Sequence, residues 1–250
     1  MPRRERIFAA LMLAAAFATP LNAQTQTPPD ESRWALDVGV GIDTSVNGNV
    51  NSGAIGRIGG QAAALLPNSY GDVYGTGIQF RVGVGYALDK VSELRGIFTY
   101  QSADADLVRL GDIGPSSLYA QYSDYKSASL DFGYRRYVPL PIHNLRVYGE
   151  ATIGVAFIDS INVLLAAPQS NVVFDSTDFY DSTAALTLNV GAGILFPIAE
   201  HIDINGQLGL RRVSGLSKVD QLIGTGLDTI NNDTARLTFP IVVGVRFRFP

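Results

Sequence analysis

The chain has 250 residues, a formal charge of −4 at pH 7 and an isoelectric point near 5.1. Beyond the first few positions its basic residues are not clustered, which argues against nucleic acid as a partner. Because the chain contains no cysteine, disulfide bonds and thiolate metal sites are excluded.

The N-terminus has the pattern of a secretory signal peptide. Arg3, Arg4 and Arg6 precede an apolar run over residues 7–18, which is too short to cross a bilayer as a helix. Ala23 is a small residue of the kind found at the cleavage site. We therefore predict a signal peptide over residues 1–23, then a short polar segment over 24–32 and a single domain over 33–250.

From residue 33 onward, the chain repeats one pattern about eight times. Each run of roughly ten or more residues alternates apolar with polar or glycine residues and ends in a turn. In a β-strand this alternation produces one apolar face and one polar face. The predicted strands lie at about residues 33–44, 75–88, 91–102, 125–138, 145–159, 182–196, 201–213 and 236–249.

The last run indicates that the apolar face points outward. The odd positions from Leu237 are apolar, whereas the even positions include Arg236, Arg246 and Arg248. The lumen of an eight-stranded barrel is too narrow for so many large apolar side chains, but a bilayer accommodates them. We therefore predict an all-β fold, an eight-stranded antiparallel up-and-down transmembrane β-barrel. The same parity predicts lipid contact for Leu188, Val190, Val243 and Val245, and lumen positions for Asn189 and Gly244.

The connections between the predicted strands alternate in length. Those after the first, third, fifth and seventh strands are long, and the others are short. Outer-membrane barrels have long extracellular loops and short periplasmic turns, so we expect a multi-pass outer-membrane protein with both termini in the periplasm. Residues 24–32 then form a periplasmic tail, and residues 33–250 form the barrel domain. Loop segments 45–74 and 161–174 contain further apolar runs, and the pattern leaves open whether they add strands beyond eight.

The chain resembles the small eight-stranded outer-membrane proteins of Gram-negative bacteria, of the OmpA membrane-domain and OmpX type, a porin-like family of outer membrane protein β-barrel domains. The resemblance covers about residues 34–249 and rests on strand number, loop alternation and an aromatic-ended last strand. It implies that the barrel-assembly machinery recognises this strand through Val243, Val245, Phe247 and Phe249. We also expect contact with outer-membrane lipids and lipopolysaccharide.

Charged residues on the polar faces of the predicted strands form the densest group of candidate functional residues in the sequence. Both signs occur on neighbouring strands, so the charges can pair inside the barrel. The predicted lumen residues are Asp37, Arg81, Glu93, Arg95, Asp131, Arg135, Arg146, Glu150, Asp203, Arg211, Arg236, Arg246 and Arg248. Two sets of pairs are expected: Asp37 with Arg246 or Arg248, and Glu93 or Arg95 with Asp131, Arg146 or Glu150.

Such a lumen suits two functions. The ion pairs could plug the barrel of a protein with a structural or surface-interaction role, or the charges could line a narrow passive pore for small solutes or ions. Since eight strands leave little free bore, we favour the plugged barrel and keep the pore as the alternative.

Catalysis is a further hypothesis, because some outer-membrane barrels modify outer-leaflet lipids with a serine, a histidine and an acid. The histidines His143 and His201 both fall in predicted periplasmic turns, away from that leaflet. We therefore predict no enzyme, no catalytic residues and no cofactor.

Ligand binding by the loops is the remaining hypothesis. Its candidates are Tyr119, Tyr122, Tyr125, Phe179 and Tyr180 for stacking, and Asp175, Asp178 and Asp181 for a divalent cation. The aspartates lack the spacing of a known calcium loop, and tyrosines beside strand ends are typical of membrane interfaces. We predict no metal site, and the sequence names no extracellular ligand.

Overall fold

The computed structural model describes residues 33–58, 60–138, 145–174, 176–219 and 229–249. The predicted signal peptide and periplasmic tail lie outside the described residues, and both stay predictions. Within the described ranges no helix is long and apolar enough to cross a membrane.

Eight long strands close into an antiparallel barrel, which confirms the predicted fold class. Neighbouring barrel strands are consecutive in the chain once the loop strands are left aside, and the last strand pairs with the first. The barrel strands are β1 (Trp34–Asn47), β6 (Thr76–Ala87), β7 (Ser92–Ala103), β10 (Tyr125–Val138), β11 (Arg146–Ile158), β15 (Thr183–Ala199), β16 (Ile202–Val213) and β18 (Arg236–Phe249).

The predicted strand ends agree closely with those of the structure, except that two strands are longer than predicted. Strand β1 continues to Asn47, and β15 continues through Pro197 to Ala199, where a turn is predicted at residues 197–200. A register shift between Pro197 and Ala199 lets the ladder accommodate the proline, which has no N–H to donate. Because a bulge interrupts the regular alternation of apolar and polar residues, the sequence pattern places the end of β15 too early.

The predicted parity of the two faces is confirmed. Val243 is 58% exposed on the outer wall, and Leu188 and Val190 of β15 are also exposed there. Gly244 pairs with Gly39 on the lumen side, between neighbours that also point inward. The apolar belt ends in aromatic residues, among them Trp34 and Phe249 at one end and Tyr100 and Phe157 at the other.

The long loops fold into a second structure above one end of the barrel, which we call the cap. The cap elements are β2 (Asn49–Asn51), β3 (Ala54–Ile58), β4 (Gln61–Leu65), β5 (Asn68–Ser69), α1 (Tyr70–Tyr74), β8 (Leu107–Ile113), β9 (Ser116–Tyr122), β12 (Ile161–Ala167), a 3-10 turn (Pro168–Ser170), β13 (Val172–Val173), β14 (Thr177–Asp181) and β17 (Ser217–Lys218). These loop segments therefore add strands, but none to the barrel. The cap strands pair in the order β17, β14, β12, β9, β8, β4, β3, with β13 beside β12 and a separate β2–β5 pair.

The cap has its own hydrophobic core, and this core lies over the barrel mouth. Loop residues such as Val50, Leu118 and Tyr180 are fully buried in it. Inward-facing residues at the ends of barrel strands, including Tyr125 and Ile158, belong to the same cluster. The cap end of the barrel is therefore covered by packed apolar side chains. We call the opposite end, where the short turns lie, the turn end.

Candidate functional site: the charged lumen

The barrel wall turns a dense set of charged side chains inward. Most of them are buried, although Arg146 and Arg248 near the turn end keep 40% and 27% of their side chains exposed. Strand alternation positions each one, because every second residue of a barrel strand faces the lumen. The structure places these predicted residues inside the barrel: Asp37, Arg81, Glu93, Arg95, Asp131, Arg135, Arg146, Glu150, Asp203, Arg211, Arg236, Arg246 and Arg248.

Glu150 forms ion pairs with three arginines in the lumen. Its carboxylate lies 2.5 Å from a guanidinium nitrogen of Arg81, 2.8 Å from one of Arg135 and 3.3 Å from Nε of Arg95. The antiparallel register sets Arg135 directly opposite Glu150 on β11 and opposite Glu93 on β7. One arginine on the middle strand thus faces acids on both of its neighbours.

Glu93 and Asp37 complete this arrangement. Glu93 lies 2.5 Å from Arg246 and 2.9 Å from Arg95. Asp37 lies 2.5 Å from Arg95 and 3.2 Å from Arg246, the residue that faces it across the closing β1–β18 ladder. We call this group the central cluster: Asp37, Arg81, Glu93, Arg95, Arg135, Glu150 and Arg246.

Aromatic side chains that the sequence analysis did not single out support the central cluster. Tyr148 lies beneath Arg135, with the guanidinium carbon 3.9 Å from the ring centroid, and donates its hydroxyl to Asn205 at 2.7 Å. Tyr137 donates to Glu93 at 2.8 Å. Position parity alone would have placed Tyr148 inside, since it lies on the same strand face as Arg146 and Glu150.

Two expected neighbours of Glu93 and Arg95 lie elsewhere. Arg146 instead pairs with Asp203 at 2.7 Å, near the turn end, where Arg248 also approaches Asp203 at 3.2 Å. Asp131 has no cation within 4 Å among the described residues and accepts hydrogen bonds from Ser129, Thr187 and Asn189. Asp131 is four residues from Arg135, a separation of roughly 13 Å along an extended strand, so it belongs to a different layer.

This second layer lies nearer the cap and is more loosely connected. Arg211 donates to Ser129 at 3.0 Å, and Arg236 donates to Ser45 at 3.0 Å while stacking 4.3 Å from the Tyr125 ring. Asp43, which lies on the same face of β1 as Asp37, is fully buried. No described residue hydrogen-bonds to its carboxylate.

A polar cavity of about 30 Å³ separates the two layers. Arg81 and Glu150 border it on one side, and Asp131 and Arg211 border it on the other. A buried water molecule needs roughly 10–15 Å³ of such space, so the cavity accommodates about two waters. It is far too small to form an open channel for solutes.

The loop aromatics are not arranged for ligand binding. Tyr122, Tyr125, Phe179 and Tyr180 are at most 3% exposed and belong to the cap core. The expectation of membrane-interface positions was therefore wrong for these three tyrosines. Apolar contacts between loops, which are distant in sequence, bury these rings, and the sequence has no local signal for this.

The polar loop and turn candidates also form no site. Asp178 and Asp181 are exposed, Asp175 lies outside the described residues, and no acid or histidine cluster in the described part could hold a metal ion. His201 lies in a turn, with its imidazole 4.0 Å from Glu200, and His143 is outside the described residues.

Asp233 links two loops of the cap. Its carboxylate accepts hydrogen bonds from the Leu216 amide at 2.7 Å and from the Tyr70 hydroxyl at 3.3 Å. Burial is the largest influence on this group and raises the pKa of the Asp233 carboxyl above its ordinary value. A carboxyl whose pKa is higher in the folded state than in the unfolded chain favours folding at low pH, and this contribution is lost as the pH rises through the folded pKa.

We therefore expect the cap to lose stability as the pH rises through the pKa of Asp233. In Asp233→Asn this dependence should flatten, because the amide oxygen can accept both hydrogen bonds without carrying a charge. Hydrogen-exchange protection of the Leu216 and Tyr70 amides, measured between about pH 4 and pH 7, tests this. Equal pH dependence in both proteins would contradict the assignment.

Comparison with known proteins agrees with the barrel architecture. The family model for the outer membrane protein β-barrel domain matches residues 8–249. No curated protein sequence matches the chain.

Three solved structures illustrate the similarity. Neisserial surface protein A has 10% identity and a TM-score of 0.46, with 88% of this chain and 99% of that chain covered. OprG from Pseudomonas aeruginosa has 13% identity and a TM-score of 0.44, with 88% and 97% covered. The protease OmpT from Escherichia coli has 10% identity and a TM-score of 0.42, with 90% and 99% covered.

At these TM-scores the similarity says nothing about the role of this chain. The family match extends over nearly the whole sequence and over all eight barrel strands. Its description places the barrel in the outer membrane, in contact with lipid. The chain belongs to the outer membrane protein β-barrel domain family.

Proposed function

We propose that this protein is a sealed outer-membrane barrel with a structural or surface-interaction role. The observation that carries the proposal is the cap: its apolar core covers one end of the barrel, directly beyond a lumen crossed by ion pairs. A passive pore needs a continuous water-filled path, whereas the two cavities described in this lumen, of about 30 and 10 Å³, have room for only two or three waters.

The central cluster acts as the plug of the proposed sealed barrel. Each of its carboxylates is shared by at least two arginines, as in the pairing of Glu93 with Arg95 and Arg246. Buried charges are tolerated when they are paired and hydrogen-bonded on several sides. Opening a water-filled path through the lumen would separate these charges from their partners. The plug therefore stabilises the closed wall and blocks ion passage together.

The proposed orientation places the cap outside the cell and both termini in the periplasm. Long loops on one side and short turns on the other support it, because outer-membrane barrels have this asymmetry. In that orientation the cap meets the lipopolysaccharide layer and the cell's surroundings. The lipid-facing residues Val243, Val245, Phe247 and Phe249 of β18 would then serve as the signal for the barrel-assembly machinery near the periplasmic end.

We assign no catalytic role. The described histidine, His201, lies at the turn end beside Glu200, where no serine completes a nucleophile arrangement among the described contacts. In the proposed orientation this end faces the periplasm, away from outer-leaflet lipids.

Single-channel recording of the refolded barrel in planar bilayers tests the sealed lumen. We expect the wild type to show no steady conductance and Glu150→Ala to show frequent openings, because three arginines lose their shared carboxylate. Asp178→Ala, a change of an exposed aspartate on the cap, is the matched control and should stay silent. Steady conductance of the wild type would refute the plug and support the narrow pore.

A further inference from the structure

The ladder between β16 and β18 is interrupted inside the membrane-spanning wall. Pairing runs from Ile202 opposite Phe247 to Leu208 opposite Ile241, stops, and resumes at Arg211 opposite Thr238. In this ladder Gly209 and Leu210 of β16 have no partner, although they lie opposite Pro240 and Phe239 of β18. In the described barrel strands the other seven ladders have no interior gap, only register shifts near strand ends.

Pro240 explains the gap. The amide of Arg248 donates to the carbonyl of His201, which identifies the hydrogen-bonded positions of this ladder, and these recur at every second residue. By that spacing Pro240 occupies a hydrogen-bonded position facing Gly209. Because proline has no N–H, the carbonyl of Gly209 loses its donor from β18. Within a bilayer, every backbone polar group needs a partner.

Several buried polar side chains around Pro240 also have atoms without a hydrogen-bond partner. The Asp43 carboxylate, directly across β1–β18 from Pro240, has no hydrogen-bond partner among the described residues, and neither has the Thr238 hydroxyl. Nε of Arg211 on β16 also has none. The polar cavity between the two lumen layers extends to Gly209, Leu210 and Pro240.

We propose that ordered water occupies this part of the lumen and hydrogen-bonds to the Gly209 carbonyl, which receives no N–H donor from Pro240. The interrupted β16–β18 ladder, which we call the seam, is then the part of the barrel wall that opens first. Water is the ligand that fits, since the unsatisfied groups include donors and acceptors and the cavity has room for about two molecules. A ladder closed through water is weaker than a continuous one, so local opening concentrates there.

Hydrogen exchange of the refolded barrel in lipid nanodiscs tests the seam. The Gly209 amide of the wild type should exchange roughly tenfold faster than the amides of Asp131 and Ile97, which face each other at a hydrogen-bonded position of the uninterrupted β7–β10 ladder. Pro240→Ala restores the donor, so it should slow this exchange by a similar factor and raise the urea midpoint of unfolding. Pro197→Ala, at the strand-end bulge of β15, is the matched control and should leave Gly209 exchange unchanged.

Water contacts at Gly209 supply the second readout. A long-lived water-to-Gly209 cross-peak in NMR spectra is expected for the wild type and should disappear in Pro240→Ala. Slow exchange at Gly209 in the wild type, or unchanged exchange in Pro240→Ala, would overturn the weak seam. Fast exchange without a bound-water signal would overturn the water site, because a distorted ladder alone would then account for it.

Discussion

Replacing Glu150 with glutamine is expected to lower the free energy of unfolding by about 3–5 kcal/mol, the usual cost of removing one partner from a buried ion pair. Glu150 is 4% exposed and is the shared partner of Arg81, Arg95 and Arg135, so the change leaves three guanidiniums without it. Water entering the lumen would reduce the loss. Urea unfolding of the refolded barrel in detergent micelles measures it.

Asp131→Asn is the control for that experiment. Asp131 is equally buried but accepts only from neutral donors, so its neutralisation should cost clearly less than that of Glu150. Adding Arg135→Met to Glu150→Gln should recover part of the loss, because one of the uncompensated charges is then removed. Equal midpoints for the wild type and Glu150→Gln would disprove the stabilising role of the central cluster.

Val243→Arg is expected to destabilise the barrel by about 2–4 kcal/mol, the cost of an arginine on the lipid face near the bilayer midplane. Val243 is 58% exposed on the outer wall, halfway along β18. The same change at Val46, at the cap end of β1 and 53% exposed, should cost only about 0–1 kcal/mol, because the penalty falls toward the interface. Unfolding in lipid vesicles gives both values.

Gly244→Arg is a poor test of register, although strand parity first suggests it. Gly244 points inward, but a Cβ there would clash with the carbonyl oxygen of Val38 and lie 2.8 Å from the Cα of Gly39. Any side chain at this position forces β1 and β18 apart. A near-neutral Val243→Arg with a costly Val46→Arg is the result that would contradict the assigned depth and facing of these strands.

Strand order and facing were predictable from the sequence because they depend on short-range rules. A strand has a period of two residues, so the alternation in residues 236–249 specifies which side of β18 meets lipid without knowledge of its neighbours. In an up-and-down barrel each strand pairs with the next, so strand order follows chain order. Together these rules place Arg135 on the lumen side, between strands that carry Glu93 and Glu150.

Contacts across the lumen depend instead on strand stagger, which the sequence does not encode locally. Asp131 and Glu150 both point inward, yet only Glu150 meets the arginines, because stagger places Asp131 in the layer nearer the cap. Arg146 likewise reaches Asp203 rather than Glu93.

The cap shows the same division more strongly. Alternation in the loop segments indicates strands, but only the folded chain brings Tyr180 of one loop to the Val50 carbonyl of another and buries Tyr122 against Phe179. Such contacts join residues far apart in sequence, and their free energy comes from burial that no local pattern specifies. By itself the sequence determined that this chain is a lipid-embedded eight-stranded barrel, whereas tertiary packing decided that the barrel is covered by a cap and which charges meet inside it.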